Sequence, residues 1–244
     1  SRFKNYNIPV RFEVDNKKLK DKWKNFANVT SQKITYEDNK INILFVGDSH
    51  AQDMLNVFYQ NKDLFKNYDF MFDEFIFGYN KPSELFKKKI AINADVIFIS
   101  YNFESRFKMR KNNDLKKDFN IKKLLDDFLN VAKQFNKKIV LSSNTNEYPG
   151  LSGYTLIDYV LKKDKDIIKN IRKYKKLYFD NREIHSDSDI NLFLKGYSKK
   201  NNLIFLNKED YLCNISANEC EFITPDGSKL YIDQTHYSIN GAKY

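Results

Sequence analysis

The chain has 244 residues, 41% hydrophobic and 16% aromatic, with a formal charge of +10 at pH 7. That apolar content excludes a disordered chain, and the length suits one α/β domain with extensions. The longest apolar runs, such as Val96 to Ser100, are strand-length, far short of the roughly 18 residues a membrane span needs.

Residues 1–40 are polar and aromatic, with no clean periodicity beyond a possible helix around Lys17 to Ala27, and read as an extension that wraps the core. Because the sequence opens on Ser1, it reads as a piece of a longer protein, with any signal peptide or membrane anchor outside it. Regular structure is expected to begin near Ile41, giving a domain over 41–244.

From there apolar runs alternate with amphipathic ones. Strands are predicted at Ile41 to Val46, Phe70 to Phe77, Asp95 to Tyr101, Lys138 to Ser143 and Leu203 to Asn207. Helices are predicted at Ala51 to Gln60, Ser83 to Ile92, Leu115 to Asn136, Tyr154 to about Tyr178 and Asp187 to Lys200. In the third, Leu124, Leu125, Phe128, Leu129, Ala132 and Phe135 recur at spacings of three and four and define one apolar face. Strands apolar throughout, alternating with such helices, predict a three-layer α/β/α fold around a mostly parallel five-stranded sheet.

Lysines share the stretch from Lys162 to Lys176 with aspartates, as on a solvated helix face, and no Arg-rich cluster or nucleic-acid motif accompanies them. The positive charge suits an anionic partner, but no nucleic acid is expected. Cys213 and Cys220 lack the Cys-x-x-Cys spacing and companion histidines of a zinc site, which favours a small disulfide loop and an oxidising compartment over two unrelated thiols.

Ligands of open parallel sheets bind beyond the carboxyl ends of the strands. There the first strand runs into Gly47-Asp48-Ser49-His50 and then a helix. A serine at that elbow carries its hydroxyl to the sheet edge and its amide to a helix N-terminus, where an oxyanion is favoured. An ordinary turn in which Asp48 or Ser49 caps the helix is the competing reading. Near the other end, Asp233-Gln234-Thr235-His236 precedes Ser238-Ile239-Asn240-Gly241. A serine hydroxyl needs an imidazole to take its proton, and the imidazole needs a carboxylate to fix its tautomer. Asp233 and His236 supply both locally, whereas a surface turn would give the pair no role. His50, beside the serine, and His185, read as a surface residue, have no metal-ligand spacing, and neither a metal nor a cofactor is expected.

The Gly-Asp-Ser after the first core strand, with a carboxy-terminal Asp-x-x-His, resembles the SGNH (GDSL-like) hydrolase superfamily over roughly Ile41 to Tyr244. Cys213, Cys220, Asp226-Gly227, Leu230-Tyr231, Asp233, His236, Ser238 and Gly241-Ala242 together resemble the SGNH domains fused to bacterial acyltransferase-3 modules. The resemblance implies Ser49 as nucleophile, His236 as general base and acid, and Asp233 as its orienting group. It implies an oxyanion hole built from the amides of Ser49 and Gly78 and the side chain of Asn102. The usual Gly-x-Asn-Asp of the third block is here Ser100-Tyr101-Asn102-Phe103, so Asn144 and Asn146 stand as substitutes, and Gly78 also suits a plain turn.

The implied activity is O-acyl transfer, with acetyl the expected group, to a cell-envelope polysaccharide through an acyl-serine. Its partners would be an acyl donor, a glycan acceptor and a membrane acyltransferase module. A carbohydrate O-acetylesterase and a non-catalytic glycan-binding module are the alternatives. The implied location is extracytoplasmic, in the periplasm or at the outer face of the inner membrane.

Overall fold

The structure, a computed structural model, describes residues 20–26, 35–104, 120–150, 155–164 and 166–244. They belong to two compact units, one within Ala27–Asn144 and Ser186–Asn207, the other within Ser1–Phe26, Thr145–His185 and Lys208–Tyr244.

The first unit holds the sheet. Its strands are β1 (Ile41–Gly47), β2 (Tyr68–Glu74), β3 (Val96–Ser100), β4 (Lys138–Ser142) and β5 (Ile204–Leu206), in the order β2-β1-β3-β4-β5. Every pairing among them is parallel, so the expected mostly parallel α/β sheet is parallel throughout. In central β1, Leu44, Phe45 and Val46 are consecutive and fully buried. Successive strand residues point to opposite faces, so both faces are covered, as the unbroken apolar run requires.

On one face Ile43, Phe45, Phe70 and Phe98 pack with Ala51, Met54 and Leu55 of the helix Ser49–Gln60. The Phe45 ring lies 4.9 Å from that of Phe98 and 5.3 Å from that of Phe58. Truncating such a fully buried Phe to Ala costs about 3–5 kcal/mol. The helix Ile121–Gln134 starts where the Asn120 side chain accepts the Lys123 N–H at 3.0 Å. It buries Leu125, Phe128, Leu129 and Ala132, with Phe128 5.5 Å from Phe75. Phe135, assigned to the same face by periodicity, falls just beyond the last turn and stacks on Phe86 at 5.0 Å. Positions 115–119 of that expected helix lie outside the described residues.

Two expected helices are interrupted. Ser83 to Ile92 becomes two single turns, Pro82–Leu85 and Lys89–Ile92, because Lys88 is extended and its ammonium bonds the Asp73 carboxylate at 2.7–2.8 Å. Tyr154 to Tyr178 becomes Leu156–Lys163 and Ile171–Asp180, in the second unit. The break is at Asp164, whose backbone is extended. Its carboxylate accepts the Asp166 N–H, the Asn170 amide and the Tyr174 hydroxyl, each at 2.7 Å. A short acidic side chain that bonds nearby groups in this way competes with helix propagation.

The second unit has an aromatic core: Tyr178 lies 4.8 Å from Tyr148 and 5.0 Å from Phe222, and Tyr148 lies 5.1 Å from Tyr231. Partly buried ion pairs join Lys175 to Glu221 at 2.7 Å and Lys229 to Asp158 at 2.5 Å. Strands β6 (Cys213–Asn214) and β7 (Glu219–Cys220) pair antiparallel, with Cys213 opposite Cys220 and the two joined by a disulfide. The loop expected from the sequence is therefore a cross-linked hairpin. Among the described residues no helix is long and apolar enough to cross a membrane.

Candidate active site

In the sheet unit, chemistry-bearing residues collect just past the strand ends. Gly47 ends β1 with a φ of +151°, and a Cβ there would lie 1.9 Å from the Ser100 carbonyl oxygen of neighbouring β3. Only glycine fits that approach. Asp48 follows as the helix N-cap, and one of its carboxylate oxygens accepts the His50 N–H at 3.0 Å. The capping role weighed from the sequence thus belongs to Asp48. Ser49 is the first residue of the twelve-residue helix and is half-buried. It stands in the turn whose amide dipoles favour negative charge.

The second Asp48 oxygen reaches the next loop and accepts the Asn102 N–H at 3.1 Å. Behind it the Ser100 hydroxyl donates to the His50 carbonyl at 3.1 Å. Asn102 is half-buried, and its side-chain oxygen lies 3.2 Å from the side-chain amide of Asn144. Asn144 is buried and its N–H donates to the Asn191 side chain at 2.8 Å. With its amide turned to satisfy both ends, it donates to the Tyr101 carbonyl at 3.2 Å and accepts the Glu104 N–H at 3.0 Å. Asn144 therefore braces the loop that carries Asn102.

Gly78 is exposed, with a φ of +88°. It sits in a turn where the N–H groups of Tyr79 and Asn80 donate to the Ile76 carbonyl at 3.0 and 2.9 Å. The turn by itself accounts for that glycine's backbone. His50 is buried behind the elbow, and His185 is half-buried rather than a plain surface residue.

The other unit holds Asp233 and His236. Tyr231 and Tyr237 form an antiparallel bridge, and the Ile232 N–H donates to the His236 carbonyl at 2.9 Å, closing a tight loop. Within it one Asp233 oxygen accepts the N–H groups of Thr235 and His236, both at 2.9 Å. The other lies 2.9 Å from His236 Nδ1, and the first lies 3.0 Å from the same nitrogen. The Thr235 hydroxyl is 3.3 Å from the same nitrogen. Partial burial of the Asp233 carboxyl pushes its pKa up, but the His236 hydrogen bond and charge, with the two backbone N–H groups, outweigh this and hold it at about 2. Asp233 is thus an anion at neutral pH, ready to fix the imidazole tautomer and balance its positive form.

The residues after the histidine hold this loop in place. The Ser238 hydroxyl donates to the Lys229 carbonyl at 2.5 Å and accepts the Gly241 N–H at 2.8 Å, starting the final helix Ile239–Lys243. A Cβ on Gly241 would lie 2.1 Å from the Leu230 carbonyl oxygen. The Ser-x-x-Gly is therefore a packing device. Asn146 is buried in the same unit with its amide directed at Glu209 (3.5 Å) and the Cys213 sulfur (3.4 Å), which occupies it structurally.

The elbow serine and the Asp233–His236 pair lie in different units. Two neighbours of the candidate residues were missed from the sequence. Asp48 links the elbow to the Asn102 loop, and Trp23, in the helical segment 20–26, has its ring 5.6 Å from the His236 imidazole. The first looked like a simple cap, and the only signal for the second was its being the single tryptophan.

A family model described as an SGNH domain fused to AT3 domains matches residues 16–244. Among solved structures, the chain is similar to a lipopolysaccharide acetyltransferase periplasmic domain from Salmonella ser. Paratyphi A. The two are 14% identical, with a TM-score of 0.55, over 95% of this chain and 94% of that one. It is also similar to a GDSL-like lipase from Bacteroides thetaiotaomicron, at 12% identity and a TM-score of 0.46 over 91% of each chain. An acetyl xylan esterase is 16% identical, with a TM-score of 0.49, over 83% of this chain and 94% of that one. Comparison with curated proteins returns no match.

Proposed function

This chain belongs to the SGNH domain family, the kind fused to AT3 domains, and from that premise we propose that it transfers an acyl group, acetyl by preference, to a hydroxyl of a cell-envelope glycan. Ser49 is the nucleophile, His236 the base and acid, and Asp233 the positioning carboxylate. The Ser49 oxygen attacks the donor's carbonyl carbon while His236 accepts the hydroxyl proton. The tetrahedral oxyanion is met by the Ser49 and Gly78 amides and the Asn102 side chain. On collapse the donor's C–O bond breaks, its leaving oxygen takes the proton from His236, and acyl-Ser49 remains. A sugar hydroxyl then attacks the acyl carbon, gives its proton to His236, and leaves as the ester while Ser49 recovers the proton.

The observation that carries this reading is the Asp233 carboxylate at 2.9 Å from His236 Nδ1, because that contact puts the imidazole in the tautomer a base requires. The half-buried Ser49 in the first turn of a helix after a parallel strand supports it independently. In this reading the chain works outside the cytoplasm beside a membrane acyltransferase module that supplies acyl groups. The disulfide-linked hairpin supports such a compartment.

The test is incubation with p-nitrophenyl acetate and a methyl glycoside, followed by mass spectrometry of protein and sugar. The expected result is one acetyl group on the peptide containing Ser49 and acetylated glycoside in solution, both absent from Ser49→Ala. Acetate without acetylated glycoside at any acceptor concentration would make the protein an esterase. An undiminished rate in Ser49→Ala would remove the mechanism.

A further inference from the structure

We infer that the Cys213–Cys220 disulfide positions the Asp233–His236 loop, so that a dithiol able to reduce it turns acyl transfer down; this rests on His236 being the general base. A run of backbone rungs joins the two places. Cys213 lies opposite Cys220 in the β6–β7 hairpin. One residue further from the hairpin tip, the Glu221 N–H donates to the Leu212 carbonyl at 2.8 Å. The Phe222 carbonyl then accepts the Leu230 N–H at 3.0 Å, and the Leu230 carbonyl accepts the Ser238 N–H at 2.9 Å. Tyr231 bridges Tyr237, and the Ile232 N–H closes the loop on the His236 carbonyl.

A second route reaches the same loop from its other side. The buried Asn146 amide lies 3.4 Å from the Cys213 sulfur and 3.5 Å from the Glu209 carboxylate. Two residues on, the Tyr148 N–H donates to the Gln234 carbonyl at 3.1 Å, in the middle of the Asp233–His236 loop. Both routes therefore begin at the cross-link. The hairpin itself has two residues in each strand, and so short a two-stranded pair is marginal in water. The covalent bond is what keeps its register, and the histidine loop inherits that register through Leu230 and Tyr148.

The bond is open to a reductant on one side. Residues 214–218 at the tip are exposed and Cys213 is half-buried, whereas Cys220 is fully buried. A thiolate of the dithiol attacks the Cys213 sulfur, and the electron pair of the broken bond goes to the Cys220 sulfur, which takes a proton. The dithiol's second thiol then attacks its own sulfur in the mixed disulfide and releases Cys213, which is protonated in turn. The protein gains two electrons and two protons, and the dithiol leaves as a disulfide. The chain has no third cysteine, so no internal exchange competes with this step.

The test compares wild-type protein as purified, reduced with dithiothreitol and desalted without oxygen, and reoxidised, all well below the Tm of the reduced form. A reacting group displaced by about 1 Å can cost about 10²-fold, so kcat for p-nitrophenyl acetate should fall at least about threefold on reduction. It should return on reoxidation, with circular dichroism unchanged throughout. Cys213→Ser/Cys220→Ser should match the reduced form and ignore dithiothreitol. A merely structural bond would lower Tm and leave kcat of the folded protein alone, and that result, or outright unfolding on reduction, would overturn the proposal. The ring signals of His236 in proton NMR, assigned with His236→Gln, should also move on reduction, and unmoved signals would overturn it too. If the oxidised protein shows no turnover, the reading of function fails, while the NMR comparison still decides whether the bond positions His236.

Discussion

Replacing Asp233 with Asn is the sharpest perturbation of the proposed machinery, because the substitution keeps the shape and reverses one hydrogen bond. The Asp233 oxygen that accepts the Thr235 and His236 N–H groups at 2.9 Å can be kept by the amide oxygen of Asn. The amide nitrogen then falls where the second oxygen faces His236 Nδ1 at 2.9 Å. It is a donor and lies nearer Nδ1 than the retained oxygen does at 3.0 Å, so it favours Nδ1 as acceptor and the ring proton on Nε2, the nitrogen that receives the serine proton in the proposed mechanism. A base in the wrong tautomer costs about 10⁴ in kcat with little change in geometry. The assay is p-nitrophenyl acetate turnover at pH 7, with circular dichroism to verify folding. A folded variant within tenfold of wild type would refute the orienting role.

The same substitution predicts a pH dependence of stability. The Asp233 pKa falls from 3.8 to about 2 on folding, so the folded state favours the anion. The side chain is 35% exposed, and after allowance for solvent screening the contribution is about 1 kcal/mol. It is fully present above the unfolded value of 3.8 and is lost as pH falls through about 2. Urea unfolding should therefore show wild type and Asp233→Asn separated near neutrality and converging across that acid window.

Gly47→Ala sets a methyl group against the Ser100 carbonyl oxygen at 1.9 Å, on a backbone conformation that disfavours side chains. It should cost on the order of 3–5 kcal/mol, read from chemical denaturation or loss of soluble protein. Asn102→Ala should lower kcat by about 10²–10³ with a small change in Tm, as expected for an oxyanion donor. Asn144→Ala, by leaving the Tyr101–Glu104 backbone unbraced, should instead cost about 1–3 kcal/mol of stability, so paired kinetics and melting curves separate the two. Replacing both cysteines with Ser opens a loop of sequence separation 7. The chain-entropy relation puts the loss at about 2.5 kcal/mol, or roughly 5–10 °C in Tm by calorimetry.

The sheet was legible because central parallel strands must be apolar on both faces, and runs such as Ile43 to Val46 have no other good placement. The Asp233–His236 pair was legible for a related reason, since its geometry is local and a spacing of three in a tight loop suffices. Interruptions of helices were not. The chain leaves the helix at Asp164 because of bonds to Asn170 and Tyr174, residues the periodicity counts as continuing it. The different bonding of Asn102 and Asn144 was hidden as well, because both follow strand ends and only the bonds of Asn144 to Tyr101, Glu104 and Asn191 tell them apart. Trp23 beside His236 joins opposite ends of the chain, and no pattern within a short window encodes such a meeting.

The carboxylate of Asp48 clasps two backbones that leave the sheet on adjacent strands, one oxygen to each. A side chain shortened or lengthened at this position would unfasten one of them, so the register between the serine and the third-strand loop depends on a residue that need never touch a substrate. In the proposed mechanism, variation in acceptor preference is then free to accumulate around the rim, while this clasp keeps the Ser49 elbow and the Asn102 loop in a fixed arrangement.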